Sequence, residues 1–363
     1  VTSSTVSITL TITGGTGTTG AVLAGTLTQA AASGVATFAN LTVDKAGTGY
    51  TLTATTSSLA SATSSTFSVS PGAASNLAFT VQPSNATAGV AVSPAVLVTV
   101  QDALGNTVTS STVSITLTIT GGTGTNGATL GGALSQTAVG SVATFGDLMI
   151  DKAGSGYTLT ATTPSLTNCT SSTFSVSPGA ASRIAFTVQP SAVTAGAAIT
   201  PAIQVTVQDA QGNTVLSSTA DITLAITSGT GTAGAVLGGT VTQAAVGGIA
   251  TFGDLTVNKA GTGYTFTATA AGLTSAISSA FAVSPGPANT LGITTQPSNV
   301  AAGAAIGPAV QVTVQDALGN AVTTSTTSVT VTITSGTGTA GAVLGGTVTQ
   351  AAVAGIATFS NLT

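Results

Sequence analysis

The string VTSSTVSITL at Val1 returns unchanged at Val108, as VLSSTADITL at Val215 and as VTTSTTSVTV at Val322, each time after 107 residues with no insertion or deletion. Invariant spacing on that scale constrains the fold more than any local motif, because each unit must bury its own core and repeat in series. The 363 residues are three such periods and a further 42, so the chain begins and ends inside a repeat. Boundaries fall at SPGAAS (70–75 and 177–182) and SPGPAN (284–289), where Pro and Gly interrupt strand pairing. They divide the chain into a partial repeat 1–70, complete repeats 71–177 and 178–284, and a partial repeat 285–363. The two partial repeats overlap in content and do not complement each other, which reads as a window cut from a longer array. Linkers this short predict repeats held semi-rigidly end to end as a rod.

Within a repeat the hydrophobic period is two. In TVSITLTIT, Val113, Ile115, Leu117 and Ile119 share one face while Ser and Thr take the other, as a half-buried strand requires. Helix signals are missing throughout. Over one period the pattern predicts seven strands, near 76–82, 95–102, 111–120, 130–137, 141–150, 156–163 and 171–177. Seven strands in a unit of about 100 residues is the plan of an immunoglobulin-like sandwich. The expected fold class is therefore all-β, with such sandwiches in tandem.

Charge is the compositional anomaly. Only 3% of residues are charged, with no His, against about 25% in an ordinary globular protein. Lys45, Lys152, Arg183 and Lys259 are the only cations, too few and too dispersed for a nucleic-acid face. A formal charge of −4 leaves little self-repulsion, which favours homotypic association between repeats or chains. With no His, no Glu and Asp confined mostly to turns, no triad, carboxylate pair or cofactor grip can be assembled, so no catalytic residue, no cofactor and no enzyme activity are expected. The single Cys169 excludes an internal disulfide, and Ala62 and Ala276 at its equivalents mark it as a small apolar position. No apolar run is long enough to form a transmembrane helix.

Three motifs recur. In Asp-x-x-Gly-Asn, Asp102, Asp209 and Asp316 are placed to accept amides of the following turn, with Gly105, Gly212 and Gly319 at positive φ. The alternative there is calcium, but one carboxylate per loop falls far short of about six to eight oxygen ligands. In DKAGTGY, DKAGSGY and NKAGTGY, Asp44, Asp151 and Asn258 cap a turn before Tyr50, Tyr157 and Tyr264. An isopeptide bond from Lys45, Lys152 or Lys259 would need an amine buried beside a carboxyl, which a Gly-rich turn does not supply. Each lysine is instead expected to lay its stem over a sheet edge with the amine in water. Gly-rich GGTGTNG (121–127) lacks the Lys-Ser/Thr and helix of a phosphate loop and reads as a turn, with Asn126-Gly127 a hairpin signal. Sequons at Asn40, Asn85, Asn168 and Asn361 are candidate glycan acceptors, in a composition where such triplets arise often by chance.

VTVQDALGNTV (98–108), VSITLTI and GSVATFGDLMIDKAGSGYTLTAT (140–162) together resemble the bacterial immunoglobulin-like repeats of invasin- and intimin-type adhesins and very large surface proteins. The resemblance extends through every period, including VTVQDAQGNTV at Val205 and VTVQDALGNAV at Val312. It implies an extracellular or cell-surface, array-forming sandwich used as a stalk or spacer, and names no receptor. A tyrosine opening the sixth strand is where such sandwiches place a tyrosine corner. The leading reading is thus a structural segment of a surface fibre, filament, adhesin stalk or sheath. The alternatives are an adhesin module binding carbohydrate or receptor through its loops, and an ice- or mineral-binding face built from Thr rows. Absence of Trp and inward placement of Phe38, Phe67 and Phe79 weigh against the carbohydrate platform.

Overall fold

The computed structural model describes residues 1–363, which divide into two compact units, Val1–Gly179 and Ala180–Thr363. The complete repeat of the first unit contains β1 (Asn76–Val81), β2 (Ala86–Thr87), β3 (Val96–Gln101), β4 (Ser114–Ile119), β5 (Leu130–Gly131), β6 (Ser135–Thr137), β7 (Val142–Phe145), β8 (Met149–Ile150), β9 (Gly154–Tyr157), β10 (Leu159–Thr162), β11 (Cys169–Thr170) and β12 (Phe174–Ser177). One face is the four-stranded sheet β6-β4-β10-β11; the other is formed by β7-β3-β1 and β2-β12-β9, with the short pair β5-β8 at the side. All neighbours are antiparallel except β2 and β12, which run parallel with Ala86 opposite Val176 and Thr87 opposite Ser177. This is an immunoglobulin-like β-sandwich, and the complete repeat of the second unit reproduces it strand for strand from Arg183 to Ser284.

Alternation builds the core. Val96, Val98 and Val100 of β3 face Ile115 and Leu117 of β4 and Leu159 and Ala161 of β10, and none of the seven has measurable exposure. The equivalent cluster of the second unit runs from Ile184 to Val283, and a third from Val310 to Leu362 lies in the last partial repeat. No cluster mixes residues of two repeats, so each of these three repeats closes its own hydrophobic core.

The seven expected segments are resolved into ten shorter strands, and Ala86–Thr87 and Cys169–Thr170 form two more outside them. Segment 130–137 divides into β5 and β6, and 141–150 into β7 and β8, because the chain changes sheets at 132–134 and 146–148. Segment 156–163 likewise divides at Thr158, β9 pairing with β12 and β10 with β4. Alternation runs on through these crossings, since both sheets present an apolar face to the same core.

Threonine hydroxyls pair with one another between neighbouring strands. Thr120 and Thr160 pair across β4 and β10 at 2.8 Å, and Thr227 with Thr267 and Thr13 with Thr53 do the same at 2.9 and 2.7 Å. Thr80–Thr99 and Thr187–Thr206 form a second such set, both at 2.8 Å. A double-mutant cycle of Thr120→Val and Thr160→Val, read by denaturant unfolding, is expected to give a coupling of roughly 0.2–1 kcal/mol; additive single effects would contradict the pairing.

Candidate functional site

Each unit contains one boundary between repeats, and both boundaries are built from the same pieces. The Asp-x-x-Gly-Asn turn follows the central strand of the core. Buried Asp102 accepts the N–H groups of Leu104 and Asn106 on Oδ1, both at 2.9 Å, and those of linker residue Gly72 (2.8 Å) and Asn106 Nδ2 (3.0 Å) on Oδ2. Gly105 closes the turn at φ +84°, a conformation costly for residues with a Cβ. So held, the Asn106 carboxamide reaches into the preceding repeat. Its Nδ2 donates to the Asp44 carbonyl at 3.0 Å and its Oδ1 accepts the Ala46 N–H at 2.8 Å.

The second unit repeats this arrangement. Gly286, Leu318 and Asn320 donate backbone N–H groups to the Asp316 carboxylate at 2.8–2.9 Å, and Asn320 Nδ2 donates to the Asn258 carbonyl at 3.0 Å while its Oδ1 accepts the Ala260 N–H at 2.9 Å. Leu318 additionally lies over Gly196 of the preceding repeat. Asp209 makes the same turn, accepting Gln211 and Asn213 N–H at 2.9 and 2.8 Å, with Gly212 at φ +87° and, in the Asp316 turn, Gly319 at +81°.

The surface that receives the asparagine is fixed from within. The Tyr50, Tyr157 and Tyr264 rings are completely buried and lie on Phe67, Phe174 and Phe281 with centroids 5.7, 5.9 and 5.7 Å apart. Each hydroxyl donates to the carbonyl five residues upstream, of Lys45, Lys152 and Lys259, at 2.8 Å. Thr18, Thr125 and Thr232 donate to the next carbonyl, of Ala46, Ala153 and Ala260, at 2.7, 2.7 and 2.6 Å. Asp44, Asp151 and Asn258 each accept an N–H on Oδ1, from Val22, Thr129 and Val236 at 2.7 Å. That oxygen is common to both side chains, which explains why Asn replaces Asp there. All three lysines are half-buried, and the Lys45 and Lys259 ammonium groups donate, in exposed positions, to the Thr19 and Ala233 carbonyls of the Gly-rich loop at 3.2 and 3.0 Å.

Electrostatics follow the hydrogen bonds. Burial pushes the Asp102 carboxyl up, but the Asn106 side chain and the Gly72, Asn106 and Leu104 N–H groups outweigh it and hold the pKa down at about 2. The same opposing causes leave Asp316 lowered. With four N–H donors on its two oxygens the Asp102 carboxylate is occupied as a turn anchor, and no group of three or more His, Cys, Asp or Glu side chains is placed to hold a metal ion. Burial raises the Cys169 thiol to about 11, away from thiolate reactivity. All four sequon asparagines are exposed. Asn40 and Asn361 use their carboxamides to close turns on Thr26 and Thr347, the position where Asp147 and Asp254 accept Ala133 and Thr240 N–H, and Asn85 Oδ1 accepts the Ser175 N–H at 2.8 Å.

Sequence reasoning places the two turns separately and misses that Asn106 joins them. The available signal is their joint recurrence once per period, but nothing in a sequence shows that residues 44 and 106 meet.

No family model matches the chain, and no curated protein matches it. Solved structures do. The Escherichia coli adhesin FdeC is similar at 18% identity over 81% of this chain and 91% of that one, with a TM-score of 0.32. Domains 4–9 of the surface layer protein SbsC are similar at 16% identity over 79% and 41%, TM-score 0.22, and extracellular domains 3–5 of Drosophila OTK at 14% over 68% and 77%, TM-score 0.26.

Proposed function

We propose that the chain is a structural segment of a long extracellular or cell-surface fibre, filament, adhesin stalk or sheath, with no catalytic step of its own. Its modules are the repeats bounded at 70/71, 177/178 and 284/285, and its natural partners are neighbouring repeats and copies of the same chain. The observation that carries this reading is the asparagine clamp. Asn106 and Asn320 bind only backbone groups of the preceding turn, so a repeat recognises the conformation of its predecessor and not its side chains. Any repeat can therefore follow any other, which suits a spacer whose length is set by copy number. In the same reading the buried tyrosines are tyrosine corners that keep each turn in the shape the next repeat requires.

The test uses spin labels on Ser57→Cys and Ser110→Cys in a Cys169→Ala background. A narrow distance distribution between them is expected, and Asn106→Ala should broaden it while costing the 71–177 repeat only about 1 kcal/mol. An unchanged width would remove the clamp from the proposal.

A further inference from the structure

In both complete repeats a two-residue strand near the start, β2 in the 71–177 repeat, lies beside the last strand and runs parallel to it. Load in a tandem chain enters a repeat through the linker before its first strand and leaves through the linker after its last. Where a strand near the entry runs parallel to the exit strand, the two pulls oppose each other along the strand axis. Every bond between them is then stretched together, whereas an antiparallel pair loaded at one end opens bond by bond.

The 71–177 repeat reinforces this pairing at several levels. Besides the β2–β12 register, Ala88 N–H donates to the Ser177 carbonyl at 2.8 Å, the last residue before the linker. Nearer the entry point, β1 makes a separate parallel contact with the segment before β11, Leu77 donating to Thr167 at 3.0 Å and Thr167 to Ser75 at 2.9 Å. Two side chains between β1 and β2 add bonds of their own: Gln82 Oε1 accepts the Ser172 N–H at 2.9 Å and Asn85 Oδ1 the Ser175 N–H at 2.8 Å. The 178–284 repeat keeps the pairing, with Val193 opposite Val283, Ala195 donating to Ser284 at 2.8 Å and Gln189 Oε1 accepting the Ser279 N–H at 2.8 Å. Ala192 stands where Asn85 would be, so one of the two side-chain bonds is missing there.

From this geometry we infer that the repeats are tension-bearing modules, each closed by a shear clamp between the exit strand and the short strand that follows the entry strand. The inference deepens the stalk reading and rests on it only for the origin of the load. Resistance to pulling is a rate, governed by the bonds that must break before the repeat opens, and is separable from equilibrium stability.

The experiment stretches single molecules of the 363-residue chain held at both termini. Two events, each releasing on the order of 350 Å of chain, should mark the complete repeats, the 71–177 repeat yielding at the higher force. Gln82→Ala with Asn85→Ala should lower the higher event alone, and Gln189→Ala the lower one alone. Asp147→Ala removes a comparable exposed bond outside the clamp, to Ala133 N–H, and should shift the melting temperature without shifting either force. Unmoved forces in the clamp variants, or an equal loss in Asp147→Ala, would overturn the inference. The spin-label widths read the clamp at Asn106 independently, so either idea can fail while the other stands.

Discussion

Gly124→Ala should melt the 71–177 repeat at least about 15 °C below the parent, an expected loss of roughly 3–5 kcal/mol. Gly124 has φ +67°, and a Cβ built on it would overlap the Tyr157 ring. That ring cannot retreat. It is wholly buried, its hydroxyl is bonded to the Lys152 carbonyl and the Phe174 ring packs against it. Gly122→Ala is the control, because Gly122 sits in the same loop at φ +78° with nothing within 4 Å of its Cβ position. It should cost only the backbone strain of about 1–2 kcal/mol. Equal losses in the two variants, compared by thermal unfolding, would show that the tyrosine is not held as described.

Asp102→Ala is expected to cost about 2–4 kcal/mol, because it strands several buried N–H donors at once, and to loosen the boundary together with the turn. Gly72, Leu104 and Asn106 all depend on this one carboxylate, so the linker, the turn and the clamp lose their common anchor. Acid should expose the same dependence. The carboxyl titrates near 2 in the folded chain against an ordinary 3.8, so its contribution is complete above the ordinary value and is lost as pH falls through about 2. Melting temperature should hold from neutral pH down to roughly 4 and fall below that, and Asp102→Asn should flatten this acid limb. A melting profile in which Asp102→Asn and parent fall together below pH 4 would assign the acid sensitivity elsewhere.

Much of the candidate site is legible in the amino-acid sequence. The Asp-x-x-Gly-Asn and Asp-Lys-Ala-Gly turns are local chemistry, in which a short side-chain oxygen meets amides two to four residues away, and such geometry is encoded where it occurs. The Tyr157 bond to Lys152 spans five residues and is nearly as local. The joining of Asn106 to Asp44, 62 residues apart, has no such local signal. Nor has the Ala86–Thr87 strand, since two residues carry no period and its partner lies about ninety positions further along.

The partial repeats separate the two sources of order. VATF at 35–38 has the same alternation as VATF at 142–145, yet only the second is a strand, because only it has β3 beside it. SVTVTI at 328–333 matches SITLTI at 114–119, yet forms a strand over Ser328–Thr330 alone, with no counterpart of β10 to pair with. Sequence decided the period, the apolar face of each segment and the turns that end it, all of which depend on neighbours along the chain. Tertiary structure decided which segments become strands, which sheet each joins and which side chain crosses to the next repeat, because a strand's backbone donors and acceptors are satisfied only by another strand.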